Sequence, residues 1–280
     1  MTKLRLACVQ LTAGNEMAAN IAVAERLVRD AARQADFITL PECAVMLEPS
    51  RKLAIEKAAP EASHPGLAAF RALAKETDRW LLVGSLTIRL EGDQLANRSF
   101  LIDTAGDVVA RYDKIHMFDV QLPGGESYRE SATYRPGTAA RVVPTPFGVL
   151  GMTVCYDVRF PQLYRALAHA GAELLSVPSA FTVPTGRAHW HVLLRARAIE
   201  TGCYVFAPAQ CGVHAGGRLT YGHSLIVDPW GAVIAEAGEQ PGVITAEIDL
   251  AKVADARSAV PSLTHDRPFT TPGAAKAAAE

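Results

Sequence analysis

Residues 4–43 read LRLACVQLTAGNEMAANIAVAERLVRDAARQADFITLPEC, and three periodicities follow one another within them. Leu4 to Val9 is a short apolar run with strand-type spacing. Glu16 to Arg33 repeats apolar residues every three or four positions, as an amphipathic helix does. Phe37 to Leu40 is a second apolar run, stopped by Pro41. Strand, helix and strand within about 40 residues predict the opening of a layered α/β fold, because each element needs a partner for its apolar face.

Further along, Gly66 to Lys75 reads as a helix and Trp80 to Leu90 as a strand. Arg98 to Asp103 and Asp107 to Tyr112 form a hairpin pattern around Ala105-Gly106. Met117 to Gly137 is rich in Pro, Gly and charge, and a stretch of that length inside a compact fold is expected to be an ordered functional loop. Strand patterns then cover Val149 to Val154 and Glu173 to Pro178, with helices at Pro161 to Ala170 and His189 to Glu200. Four more strands follow at Tyr204 to Ala207, Ser224 to Val227, Val233 to Glu236 and Val243 to Glu247. Two sheets packed face to face, with helices outside each, satisfy this order. Neither an internal repeat nor a low-complexity linker marks a boundary, so residues 1–268 are expected to form one domain. The tail 269–280, ending in GAAKAAAE, lacks an apolar helical face and is expected to fray.

The 280 residues are 49% hydrophobic, enough for a substantial core. Lys plus Arg number 28 against 29 for Asp plus Glu, a net charge of −1, which gives no electrostatic case for a nucleic-acid partner. The five cysteines form no CxxC pair and lie mostly in apolar runs, the pattern of free thiols in a reducing compartment. With no h-region and no uncharged run of the roughly 18 residues a membrane span needs, the reading is a cytoplasmic protein without membrane association.

Cys155, in MTVCYDVRFPQLY (152–164), stands where an apolar strand gives way to a polar turn. In α/β folds that is where reacting groups are displayed, and the backbone N–H groups that follow can stabilise an oxyanion. A small buried hydrophobe is the alternative for any lone cysteine. Among the histidines, His189 and His191 are two apart on a predicted helix and face different ways, while His116, His214 and His223 read as structural loop residues. Carboxylates and amines serve better: Glu42 ends the strand FITL, and Lys114 follows the hairpin in RYDKIHMFD. A Glu beside a thiol in a dry site, its pKa raised by burial, could take the thiol proton, while a Lys ammonium stabilises the anion formed when the thiolate attacks a carbonyl.

At LPECAV, YDKIHMFD and GMTVCYDVRFPQLYRALA the chain resembles the nitrilase superfamily of carbon-nitrogen hydrolases, from about Leu4 to Pro268. The resemblance implies a four-layer α-β-β-α sandwich, a homodimer formed through helices, and no cofactor or metal. It makes Cys155 the nucleophile, Glu42 the general base and Lys114 the stabiliser of the tetrahedral intermediate. Glu130, in YRESATYRPG, matches the family's second glutamate, and the Tyr156 N–H its second oxyanion donor. PSAF, TGRAHWHVLLRARAIETGCYVFAPAQCGVH and YGHSLIVDPWG resemble the branch that hydrolyses deaminated glutathione. That branch places Arg159, Phe181 and Thr185 in the substrate pocket, where the Arg fork can grip an α-keto acid carboxylate. The chain departs at His191, where relatives commonly carry Glu. The activity implied is hydrolysis of a primary amide of deaminated glutathione through a Cys155 thioester, with release of ammonia. An ω-amidase acting on α-ketoglutaramate and an N-carbamoyl amidohydrolase are the alternatives within the family. A catalytically idle scaffold and a redox-active thiol are the alternatives outside it.

Overall fold

A computed structural model describes residues 3–122 and 125–270. In chain order the first half contains β1 (Leu4–Gln10), α1 (Met17–Ala32), β2 (Phe37–Thr39), α2 (Arg51–Lys57), α3 (Pro65–Thr77), β3 (Trp80–Arg89), β4 (Leu95–Ile102) and β5 (Val108–Asp113), then the small hairpin β6 (Asp119–Gln121) and β7 (Ser127–Arg129). The second half contains β8 (Arg141–Thr145), β9 (Gly148–Met152), α4 (Pro161–His169), β10 (Leu174–Ser176), α5 (Val183–Thr201), β11 (Tyr204–Ala207), β12 (Cys211–Val213), β13 (Leu219–Tyr221), β14 (Leu225–Val227), β15 (Val233–Glu236), β16 (Gly242–Ile248) and α6 (Ala251–Ala259). One six-stranded sheet has the order β16-β1-β2-β3-β4-β5, the other β15-β14-β11-β10-β9-β8.

Side-chain alternation along the strands assigns the layers. In β1, Leu4, Leu6 and Cys8 pack with Leu150, Met152 and Phe206 of the other sheet, whereas Ala7 and Val9 pack with Val28 and Ala31 of α1 and Phe70 of α3. Period two therefore serves two cores at once: every second residue faces the opposing sheet and the others face the helices. On the far side, Leu163 and Leu167 of α4 and Trp190 and Leu194 of α5 cover the second sheet. The order is helix, sheet, sheet, helix, the sandwich expected from the sequence. The 269–280 tail largely lies outside the described residues; Phe269, within them, is exposed.

Some expected boundaries move. The helix expected from His189 begins at Val183, since Pro184 and Gly186 suit the opening of a helix but hide its apolar period. The strand expected to reach Val154 ends at Met152, and Cys155–Arg159 is a 3-10 turn. The last long strand, β16, crosses to the first sheet and pairs antiparallel with β1, Leu4 opposite Ile248. No helix among the described residues is long and apolar enough to cross a membrane.

Candidate active site

Glu42 is delivered by a bulge. Between Val83, which pairs with Phe100, and Leu86, which pairs with Arg98, β3 carries one residue more than β4. The extra backbone holds the turn after β2: Ser85 Oγ accepts the Cys43 N–H at 2.9 Å, and the Ser85 carbonyl accepts the Ala44 N–H at 3.0 Å. Gly84 is required there, because a Cβ would lie 2.1 Å from the Leu40 carbonyl oxygen and 2.5 Å from that of Pro41. Gln210, in the connection between β11 and β12, closes the turn by donating to the Glu42 carbonyl at 2.9 Å.

Lys114 follows β5, its N–H donating to the Asn97 carbonyl at 3.0 Å. Its Nζ donates to Glu42 Oε1 at 2.9 Å and to Glu130 Oε1 and Oε2 at 3.0 and 2.8 Å. Asn97 on β4 ties the same carboxylates together, donating to Glu42 Oε1 at 2.9 Å and to Glu130 Oε1 at 3.2 Å. Glu130 Oε2 also accepts the Phe118 N–H at 2.7 Å, and Glu42 Oε2 accepts the Ala180 N–H at 3.0 Å. Among the described residues of 117–137, Glu130 opens a 3-10 turn directly after the β6–β7 hairpin.

Cys155 comes from the second sheet with φ of +50°, a left-handed conformation that costs a non-glycine residue about 1–2 kcal/mol. Its N–H donates to the Pro178 carbonyl at 2.9 Å. The next N–H, that of Tyr156, lies at the open start of the 3-10 turn, where no intrahelical carbonyl reaches it. Asp157, fully buried, fixes the turn. Its carboxylate accepts the Tyr112 hydroxyl at 2.7 Å, the Val154 N–H at 2.9 Å and the His116 N–H at 3.0 Å, with His116 Nδ1 at 2.7 Å.

Glu42, Lys114, Glu130 and Cys155 line one cavity of about 500 Å³, with Tyr156, Phe181 and Thr185 on its walls. Arg159 is not among the lining residues; its guanidinium lies over the rings of Tyr156 and Phe181, 5.7 and 5.5 Å from their centroids. Burial alone pushes the Glu42 carboxyl up, but the charge and hydrogen bond of Lys114 outweigh it and hold it below its ordinary 4.5. The raised value expected from the sequence is thus reversed, because burial does not act alone: an ammonium stands 2.9 Å away. For Cys155, burial and then the Glu42 carboxylate drive the thiol well above its usual value, against the pull of Lys114. Lys114 is desolvated, yet Glu130 and Glu42 raise it well above 10.5. The resting site therefore holds a carboxylate, an ammonium and a neutral thiol, a set in which proton transfer from sulfur to carboxylate accompanies attack.

Asn97, Asp157 and Gln210 escape the sequence reading. Asn97 carries a usable signal, a polar residue in the otherwise apolar strand LANRSFLI, and Asp157 another, a charge two residues past the candidate thiol. The histidines take structural places. His214 bonds the Ala13 carbonyl and Thr220, and His189 Nδ1 lies 3.3 Å from Arg159. His191 does not line the cavity: its Nε2 meets Glu236 Oε1 at 2.8 Å, which His223 Nδ1 also approaches at 3.0 Å. Among the described residues this trio has the mutual proximity of metal ligands, its atoms lying within 4.8 Å of one another.

A two-sheet sandwich that brings Glu42, Lys114 and Cys155 to the wall of one cavity supplies the groups that amide cleavage needs. The sequence profile of the carbon-nitrogen hydrolases matches residues 5–258, and the chain belongs to that family as a hydrolase of amide carbon-nitrogen bonds. It is similar to the deaminated glutathione amidase of Synechocystis sp., with 42% identity over 265 residues, 92% of this chain and 96% of that protein. It also superposes on the NitFhit protein of C. elegans with a TM-score of 0.89 at 40% identity, over 95% of this chain and 65% of that longer one. Nit3 of Saccharomyces cerevisiae, described as a member of branch 10 of the nitrilase superfamily, gives 0.85 at 30% identity, over 95% and 97%.

Proposed function

We propose that this chain hydrolyses the amide of deaminated glutathione, with Cys155 as nucleophile, Glu42 as general base and acid, and Lys114 as electrostatic stabiliser. The observation that supports the chemistry best is the single Lys114 ammonium bonded to both Glu42 and Glu130 beside a neutral buried thiol. The substrate rests on the similarity to deaminated glutathione amidases.

In the first step Cys155 Sγ forms a bond to the amide carbon while its proton passes to Glu42, and the carbonyl oxygen becomes an oxyanion facing Lys114 and the Tyr156 N–H. Glu42 returns the proton to the amide nitrogen, the C–N bond breaks and the amine leaves, giving a thioester. A water then gives its proton to Glu42 and attacks the acyl carbon; the C–S bond breaks and the sulfur recovers the proton. Glu130 holds Lys114 against Glu42.

Chemistry corrects one expectation. The glutamyl amide of glutathione is secondary, joined to the cysteine nitrogen, so the leaving group is the amine of cysteinylglycine. Ammonia would leave from α-ketoglutaramate or an N-carbamoyl compound, not from deaminated glutathione. A decisive assay measures formation of the shared keto-acid product from both compounds, ammonia alongside, and the intact mass of the enzyme during turnover. Preference for deaminated glutathione, an acyl adduct on Cys155 and no turnover by Cys155→Ser are expected. Preference for α-ketoglutaramate or an N-carbamoyl compound would refute the substrate, and full activity in Cys155→Ser would refute the mechanism.

Residues 1–268 are read as one catalytic unit, supported by a site drawn from both sheets. The apolar Val192 and Ile199 exposed on α5, with Trp230 nearby, support homodimerisation through helices, which light scattering would measure. Five free cysteines support a cytoplasmic location.

A further inference from the structure

The cavity wall carries three arginines, Arg51, Arg129 and Arg218, and among the described residues none has a carboxylate within salt-bridge distance. The acidic groups of the same cavity are three: Glu42 and Glu130 share the single Lys114 ammonium, and Glu48 is paired by Lys57 at 3.0 Å, so the four cations of the lining, Lys114 and the three arginines, outnumber its carboxylates by one. The cavity therefore offers a visitor unneutralised positive charge. Arg218 is the most constrained of the three. Its Nη2 donates to the Ala180 carbonyl at 2.9 Å, on the residue whose N–H holds Glu42 Oε2. Its guanidinium lies 5.2 Å from the centroid of the Tyr128 ring. Its backbone carbonyl is held by the His214 N–H at 2.8 Å, which fixes the turn that presents it. Yet its Nε is buried with no hydrogen-bond partner. With Nε–H closed off from the cavity, the donors left for an incoming carboxylate are the Nη hydrogens that Ala180 does not take, on a guanidinium that lines the cavity.

We infer that Arg218 is a specificity residue that receives the terminal carboxylate on the leaving-amine side of the substrate, the glycine carboxylate in deaminated glutathione. The inference rests on the function proposed above and deepens it. Arg218 shares its wall with Tyr128 and Arg129 of β7, and Arg129 and Arg51 are exposed, so this wall runs from the floor to solvent. A departing dipeptide lies along such a path.

The test compares two substrates in three backgrounds: deaminated glutathione and its C-terminal glycinamide, which lacks only the distal charge, each with wild type, Arg218→Ala and Arg218→Lys. A charge-assisted contact predicts a wild-type kcat/KM ratio between the two substrates on the order of ten- to a hundredfold. The ratio should fall to about one in Arg218→Ala, with an intermediate value in Arg218→Lys, and the change should lie mainly in KM. A merely structural Arg218 lowers both substrates in parallel and leaves the ratio intact, which would overturn the inference, as would a wild-type ratio near one. If Arg218→Ala fails to fold, Arg218→Lys decides by the same ratio. Wild type inactive on deaminated glutathione would remove the proposed function and this inference together, whereas an active wild type with an unmoved ratio removes the inference alone.

Discussion

Replacing Lys114 by Met keeps the side-chain length and removes the charge, and the structure supplies the consequence. Nζ makes three contacts of 2.8 to 3.0 Å with two carboxylates, and the Lys114 side chain is 2% exposed, those of Glu42 and Glu130 5% and 13%. Removing one partner of a buried ion pair costs about 3–5 kcal/mol, because it strands the other charge. For a chain of this size that is a fall in Tm on the order of 10 °C. The pH dependence separates this account from a packing defect. In wild type the Glu42 carboxyl lies below 4.5, so its contribution to stability is complete above that value and is lost only as pH falls through its folded pKa. Glu42 thus adds no slope between pH 7.5 and 5.5. In Lys114→Met, burial loses its largest counterweight, with only the weaker effects of Cys155 and Arg218 still opposing it, and the folded carboxyl is expected to move above its unfolded value, so the variant gains stability on acidification, about 1.4 kcal/mol for each tenfold gain in the carboxylate's proton affinity on folding. Chemical denaturation at pH 7.5, 6.5 and 5.5 should show the variant closing part of its deficit as pH falls. A deficit constant across the three pH values, or a variant as stable as wild type at pH 7.5, would refute the reasoning.

Because the Glu42 carboxyl is held down rather than raised, kcat/KM should stay level from pH 7.5 to about 5 and decline only below the ordinary carboxylate range, as Glu42 takes up a proton; an acid limb centred near 6.5 would contradict this. Gly84→Ala should destabilise by more than about 2 kcal/mol and depress kcat, since the added methyl must displace the Leu40 and Pro41 carbonyls that lead into Glu42; denaturant midpoints and turnover should move together. Asp157→Asn can keep the carbonyl contacts but presents an amide to donors on every side, so a loss of about 1–3 kcal/mol is expected, with kcat falling more than KM rises; unchanged stability would count against Asp157 as the anchor of the Cys155 turn.

The layers are legible because β1, α1 and β2 each show one clear period, and the ends of strands point to Glu42, Lys114 and Cys155 as candidates. What stays hidden depends on distance in space. The β3 bulge is two unremarkable residues, Gly84 and Ser85, whose role emerges only when the Leu40–Glu42 segment lies against them. Arg218 lies in a glycine-rich turn whose local pattern says nothing of Ala180 or Tyr128. β8 and α6 are short, half-exposed elements with little periodicity, and α2 carries a single buried residue, so none of the three announces itself. The direction in which the Glu42 pKa moves is hidden for the same reason, since burial can be guessed from a strand context but the ammonium opposite it comes from 72 positions away.

The antiparallel pairing of β1 with β16 carries a consequence for biosynthesis. Residues 4–10 must wait for residues 242–248 before their second flank is hydrogen-bonded. A ribosome that has released the first half of the chain thus leaves one row of backbone donors and acceptors unsatisfied until nearly the whole polypeptide has emerged, an open template for misassembly with neighbouring nascent copies. The slow phase of refolding should accordingly track this closure, the most non-local strand pairing among the described residues.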